Sequence, residues 1–317
     1  GTFTDKAGVY FKHTAANAMG SDVNDINNDG LLDVVELDMN PEDNYRKKMM
    51  LNANSYQTYQ NSDYFKYQYQ YVRNVVQLNQ GPRINALDSV GDPVFSDISF
   101  YAKLAETDWS WTPMVVDFDN DGFRDVIVTN GFPRDVTDHD FITFRNMAFS
   151  IATKNQMLEQ IPEVKIHNYA FRNTGQLQFE DVSNAWGFEQ AAFSNGAAYA
   201  DFDNDGDMDI VVSNINDEAF LYENTLNNNK INSNYLSVNL IGDSSNINGL
   251  GAWIEIYYDG KQQVYEQTPY RGYLSTVQMP AHFGLGTVSS IDSLLVKWPD
   301  GRKTVLQDVA PIRFTDK

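Results

Sequence analysis

The chain has 317 residues, 42% of them hydrophobic, and a formal net charge of −20. That length holds two domains, or one repeat array with an appendage, and the apolar content supports packed cores rather than a disordered acidic tail. The charge excludes nucleic acid, whose phosphates would be repelled; the absence of cysteine excludes disulfides, thiolate metal sites and a cysteine nucleophile; and no run of about 18 apolar residues is present to cross a membrane as a helix.

Taken in order, the chain repeats itself three times. Each copy opens on a Phe-x-Asp phrase (Phe3-Thr4-Asp5, Phe95-Ser96-Asp97, Phe179-Glu180-Asp181) and runs through a variable stretch to an acidic loop. The loops begin at Asp25, Asp117 and Asp201, and each is followed by a β-branched run such as Val126-Ile127-Val128 or Ile210-Val211-Val212. A second shared phrase, Asn74 to Gly81, matches Asn168 to Gly175, and a third version, Glu218 to Asn224, closes the array. Several short strands separated by turn signals make each copy a candidate propeller blade. The first copy reads as lacking its leading strand. The phrase Phe314-Thr315-Asp316-Lys317 repeats Phe3-Thr4-Asp5-Lys6, so residues 311–317 read as the start of a further repeat. The expectation is a partial array continuing beyond both ends, since three blades fall short of the four to eight that close a ring.

Two insertions interrupt the array. Residues 41–71 contain Arg46, Lys47 and Lys48 and then Tyr56, Tyr59, Tyr64, Tyr67, Tyr69 and Tyr71. The favoured expectation is that these tyrosines pack the insertion onto the blades; exposed, they would suit sugar rings or a protein partner. Residues 134–165 open with Asp135, Asp138 and Asp140, then show helical spacing through Phe141, Phe144, Ala148, Ile151 and Ala152. One helix over about 141–161 is expected, capped by Thr137 or Asp138 and stopped by Pro162. After a polar linker at 226–234, residues 235–310 alternate as strands, with tight turns at Asp259-Gly260 and Asp300-Gly301. They read as a separate small β-sandwich-like domain, which makes the chain all-β.

The acidic loops carry the chemistry. Asp117, Asp119, Asp121 and Asp125 stand at positions 1, 3, 5 and 9 of the second loop, and Asp201, Asp203, Asp205 and Asp209 at those of the third. Asp25, Asn27, Asp29 and Asp33 do so in the first, where Asn27 removes one charge and weakens the site. Four carboxylates converging within about 5 Å repel strongly without a cation. Hard oxygen donors select Ca²⁺, and the glycine at position 6 permits the turn. An EF-hand needs a bidentate Glu at position 12 between helices; position 12 is Glu36, Val128 and Val212, between strand-like runs.

These loops resemble the FG-GAP/VCBS repeats of integrin-α-like propellers, with Trp109-Ser110-Trp111 as a flank frequent in the bacterial versions. The stretch from Tyr235 to about Val309 resembles an ASPIC/UnbV domain. Its marks are Gly249-Leu250-Gly251-Ala252, Arg271-Gly272-Tyr273-Leu274-Ser275, His282-Phe283-Gly284-Leu285-Gly286 and Lys297-Trp298-Pro299-Asp300-Gly301. The FG-GAP resemblance implies that the backbone carbonyl at position 7, on Leu31, Phe123 and Asp207, joins the side chains in three structural calcium sites. It also implies a non-catalytic module outside the cytoplasm, secreted or on a bacterial surface, binding protein or glycan. A glycan-binding module, supported by the tyrosines and by Trp109 and Trp111, is one alternative. A calcium-dependent, lyase-like polysaccharide enzyme using Arg134, Asp135, Asp138, His139 and Asp140 is the other. His13 and His167 show no partner motif in the sequence, and His282 reads as a hydrogen-bonded turn residue.

Overall fold

The computed structural model describes residues 2–50, 55–84, 89–227 and 233–312. Its first blade is an antiparallel meander of Ser21–Asn24, Asp33–Glu36, Val75–Ile84 and Val90–Asp97. The second repeats it with Asp108–Val116, Asp125–Asn130, Tyr169–Asn173 and Phe179–Asp181, and adds Met39–Asn40 at its inner edge. Among the described residues the third shows three strands, Ser194–Ala200, Asp209–Asn214 and Phe220–Tyr222. In every blade an acidic loop joins the first strand to the second. The protein is nearly all β, its small sheets set in a four-blade propeller-like arrangement.

The blades stack through their sheet faces. Ile26, Val35, Leu37 and Val76 of the first pack on Val126, Val128, Phe171 and Phe179 of the second. Met114, Phe118, Ile127 and Ala170 of the second pack on Tyr199, Ile210, Val212 and Phe188 of the third. Strands buried on both faces explain why these runs are continuously β-branched rather than alternating.

The Phe-x-Asp phrases do not open blades. Phe95 and Phe179 lie on outermost strands, opposite Asn79 and Asn173, so each phrase closes the preceding sheet before the chain crosses inward to the next. Nor does the first blade lack a strand. Phe3-Thr4-Asp5 precedes the helix Ala7–Tyr10, and this segment covers the first blade's outer edge, with Phe11 4.9 Å from Phe95 between ring centroids.

The insertions differ from expectation in two respects. Residues 134–165 form two helices, His139–Ala148 and Lys154–Glu159, because Thr153 and Gln156 make a capping box that starts a new helix. Asp138 caps the first, accepting from Phe141 N at 2.9 Å. The other insertion contains Asn44–Met49 and Tyr56–Phe65, whose Tyr56, Tyr59 and Tyr64 project into solvent instead of packing on the blades. Tyr67 is exposed as well, whereas Tyr69 and Tyr71 are half-buried. Arg46 joins the two insertions, bonding Asp108 at 2.9 Å and Asp135 at 2.8 Å.

The C-terminal region has its own core around Ile254, Ile256, Phe283 and Ile291. A sheet ordered Lys261–Glu266, Trp253–Tyr258, Ile291–Lys297, Lys303–Val309 faces the pair Asn234–Val238 and Ala281–Gly286. The turn at Asp259-Gly260 has φ of 48° and 70°, the two left-handed residues of a primed hairpin turn. This region docks on all three blades. Arg271 forms a buried ion pair with Asp22 at 2.7 Å, Arg124 donates to the Val264 carbonyl, and Ala197 N donates to Ser275 Oγ at 3.2 Å. Residues 313–317, and with them the phrase Phe314-Thr315-Asp316-Lys317, lie outside the described part of the chain.

Candidate metal centres

The three loops share one hydrogen-bond skeleton. The position-1 carboxylate accepts from the amides of positions 5 and 6: Asp25 from Asp29 and Gly30, Asp117 from Asp121 and Gly122, Asp201 from Asp205 and Gly206. The position-9 carboxylate accepts from position 2 with one oxygen (Asp33 from Ile26, Asp125 from Phe118, Asp209 from Phe202). With the other it accepts from the backbone N–H of an asparagine on or just past the third strand, Asn79, Asn173 or Asn224. Position 4 is asparagine at φ of 55–61° and position 6 glycine at φ of 85–97°, so each loop doubles back through two left-handed residues.

This folding brings the predicted side chains together. Oxygens of Asp117, Asp119 and Asp125 lie within 4.8 Å of one another, as do those of Asp201, Asp203 and Asp209. Asp121 and Asp205 turn an oxygen back to the amide of position 7, at 2.8 and 3.1 Å. In the first loop Asp25 and Asp33 are buried, while the Asn27 amide donates to Asp29 at 3.0 Å. Leu31, Phe123 and Asp207 occupy position 7 of the same turns. Asp207 adds a feature unread in the sequence: its side chain is buried, accepts from Asn227 N at 3.0 Å and leaves Oδ1 without a partner.

Burial first, then neighbouring carboxylates, drive these acids upward in pKa. Asp117 and Asp125 are held well above the ordinary carboxylate range, Asp119 is pushed to about 6 and Asp207 to about 8. Burial pushes Asp33 to about 7 and raises Asp25 and Asp209. Among the described residues no Lys or Arg forms an ion pair with a loop carboxylate. An all-oxygen, acid-rich donor set short of positive charge fits a hard divalent cation.

The loops are also wired together by asparagines whose role the sequence reading did not recognise. Asn28 Nδ2 donates to the Gly122 carbonyl at 2.8 Å, and Asn120 Nδ2 to the Gly206 carbonyl at 3.0 Å. Asn173 and Asn224 donate to the carbonyls of Ile26 and Phe118 in the preceding blade's loop. The signal was present, since asparagine recurs at position 4 of every loop, but only three-dimensional adjacency shows its partner. The C-terminal region joins this network through His282, a strand residue rather than a turn residue, whose Nε2 lies 2.6 Å from Asn120 Oδ1. Gly284 lies so close to the second loop that a Cβ there would sit 1.9 Å from an Asp117 oxygen.

Residues 162–212, which hold the third loop, match the family model for the FG-GAP-like repeat, and residues 242–315 match that for ASPIC and UnbV. The chain carries an FG-GAP-like repeat and an ASPIC/UnbV segment. No curated protein matches it. The ASPIC/UnbV marks now have physical roles: Arg271 and Gly272 seat on the first blade, through Asp22 and the Ser21 carbonyl, and His282 and Gly284 seat on the second loop.

The other candidates are dispersed. Asp135 is fully buried on Arg46 and Asp138 is spent as a cap, so Arg134, His139 and Asp140 stand exposed without them. His13 bonds Asp97 at 2.8 Å, beside Arg73. His167 bonds the Asn168 carbonyl. Trp109 and Trp111 are buried against Phe132, which removes them as a sugar platform.

Proposed function

We propose that this chain is a non-catalytic, calcium-stabilised scaffold that works outside the cytoplasm, secreted or at a bacterial surface, and presents surfaces to protein or glycan partners. The convergence of Asp117, Asp119 and Asp125, repeated at Asp201, Asp203 and Asp209, supports it most directly. Side chains at positions 1, 3, 5 and 9 and the carbonyl at position 7 hold one ion per loop. Bound calcium replaces the protons that burial otherwise retains there and locks the turn between two strands. External calcium near 10⁻³ M suits such a role, because extracellular modules commonly bind with Kd of about 10⁻⁴–10⁻³ M. The dispersal of the 134–140 cluster supports a non-catalytic reading over a lyase-like one.

The test is thermal melting in calcium and in excess chelator. Calcium at about ten times its Kd should stabilise by about 1.4 kcal/mol per site by mass action. Asp117→Asn with Asp201→Asn should abolish most of the calcium-dependent shift. An unchanged melting temperature in chelator would overturn the proposal.

Glycan binding is a second reading with its own support. Tyr59 stacks on Tyr56 and Tyr69 at 6.5 and 5.5 Å, and Phe65 stacks on Tyr67 at 5.6 Å. Such exposed aromatic ladders suit sugar faces.

A further inference from the structure

The two insertions, residues 41–71 and 134–165, leave their blades at the same end. Each lies between a second and a third strand, and in an antiparallel meander that connection stands opposite the loop joining the first strand to the second. Arg46 of one insertion bonds Asp135 of the other at 2.8 Å, and the backbones of Met50 and Asp138 pair. Together they make one surface, at the end of the array remote from the acidic loops.

The tip of that surface is apolar and uncovered. The helix His139–Ala148 ends in a tight turn, where the amides of Ile151 and Ala152 both close on the Ala148 carbonyl, at 3.0 and 2.8 Å. The capping box at Thr153 then starts the next helix, so the turn is fixed on both sides. Ala148 is buried, whereas Met147, Phe149 and Ile151 are 77, 80 and 84% exposed. Side chains this exposed project from the surface instead of lining a groove. A cluster of them marks a surface made to be covered, and a projecting one suits a deformable partner.

Charge identifies that partner. The chain has 43 acidic and 23 basic residues, yet from Phe141 to Leu158 it has no Asp or Glu, and Arg145 and Lys154 are the only charges. Both are exposed, and among the described residues neither forms an ion pair. Lys66, at the end of the neighbouring helix Tyr56–Phe65, is also exposed and without an ion pair, next to exposed Tyr64, Phe65 and Tyr67. Apolar side chains bracketed by cations and tyrosines have the composition of a segment that lies in a bilayer interface. We propose that residues 147–151 insert into the surface of an anionic phospholipid bilayer. Arg145 and Lys154 then meet lipid phosphates, and the tyrosine helix lies alongside at headgroup level. The acidic loops, at the other end of the blades, are held back from the like-charged membrane, whose field fades over a Debye length of about 8 Å at physiological salt.

Vesicle flotation of the full chain in calcium buffer tests this, with phosphatidylcholine alone and mixed with phosphatidylglycerol. The chain should float with the mixed vesicles, less with phosphatidylcholine, and less again as salt rises. Phe149→Ser with Ile151→Ser should lower the partition coefficient about tenfold or more, at an unchanged melting temperature because both side chains already stand in water. Arg145→Gln with Lys154→Gln should erase the preference for phosphatidylglycerol and leave the weaker binding to phosphatidylcholine. A full chain that floats with neither vesicle overturns the proposal, as it would if the tip served a protein. Flotation that survives Phe149→Ser with Ile151→Ser also overturns it, as it would if calcium bridged the acidic loops to the lipid.

Discussion

At the scale of single residues, His282 joins the ASPIC/UnbV segment to the second loop. Burial, with Arg124 nearby, lowers its pKa to about 4, so it is neutral at pH 7 and its Nε2–H donates to Asn120. An unfolded histidine titrates near 6.5. The folded value is depressed, so the unfolded chain takes up a proton first, and the stability held above pH 6.5 is lost as pH falls toward 4. With calcium saturating the loops, this residue should cost about 2 kcal/mol between pH 7 and pH 5. Denaturant titrations at the two pH values measure it, and His282→Gln, which retains a donor but does not titrate, should remove that part of the loss.

At the scale of elements, the helix Tyr56–Phe65 does little for the core. Its moderate spacing of tyrosines produced no buried face, and its side chains stack on one another in solvent. Tyr56→Ala with Tyr59→Ala should therefore change stability by less than about 1 kcal/mol, as exposed substitutions do. If the ladder reads sugars, the same pair should abolish glycan-array binding while the melting curve stays put. The blades themselves were legible because the acidic loop, the β-branched run and the Phe-x-Asp phrase recur. Their order was misread, because periodicity reports which phrases recur and not which sheet each one joins. Phe95 and Phe179 belong to the blade behind them, and only strand pairing shows this. The insertion helices were harder, since a capping box at Thr153 outweighed an apolar spacing that ran straight through it.

At the scale of the whole molecule, the ASPIC/UnbV segment is held by buried polar groups as well as by apolar contact. Asp22 pairs with Arg271 while its other oxygen accepts from Val115 N, so one carboxylate ties together the first blade, the second blade and the C-terminal region. Both partners are almost wholly inaccessible. Arg271→Ala leaves Asp22 charged and unpaired and should cost about 3–5 kcal/mol, whereas Arg271→Met with Asp22→Leu should recover much of it. Urea unfolding of the two variants decides between these outcomes. None of this was visible in the sequence, where Asp22 and Arg271 stand far apart and neither belongs to a metal-loop pattern. The carboxylates that were legible are those whose partners lie within nine residues.

The asparagine links between loops give the array a direction. Asn28 gives its amide forward to the second loop, and Asn120 gives its amide forward to the third while receiving His282 from the side. Damage to the third loop deprives the second of the acceptor for Asn120. Damage to the first withdraws the Asn28 donor from the second loop and the acceptors for Arg124 and Asn173. Damage to the second undoes contacts on three sides at once, which makes residues 117–125 the keystone on which the other loops and the C-terminal region bear.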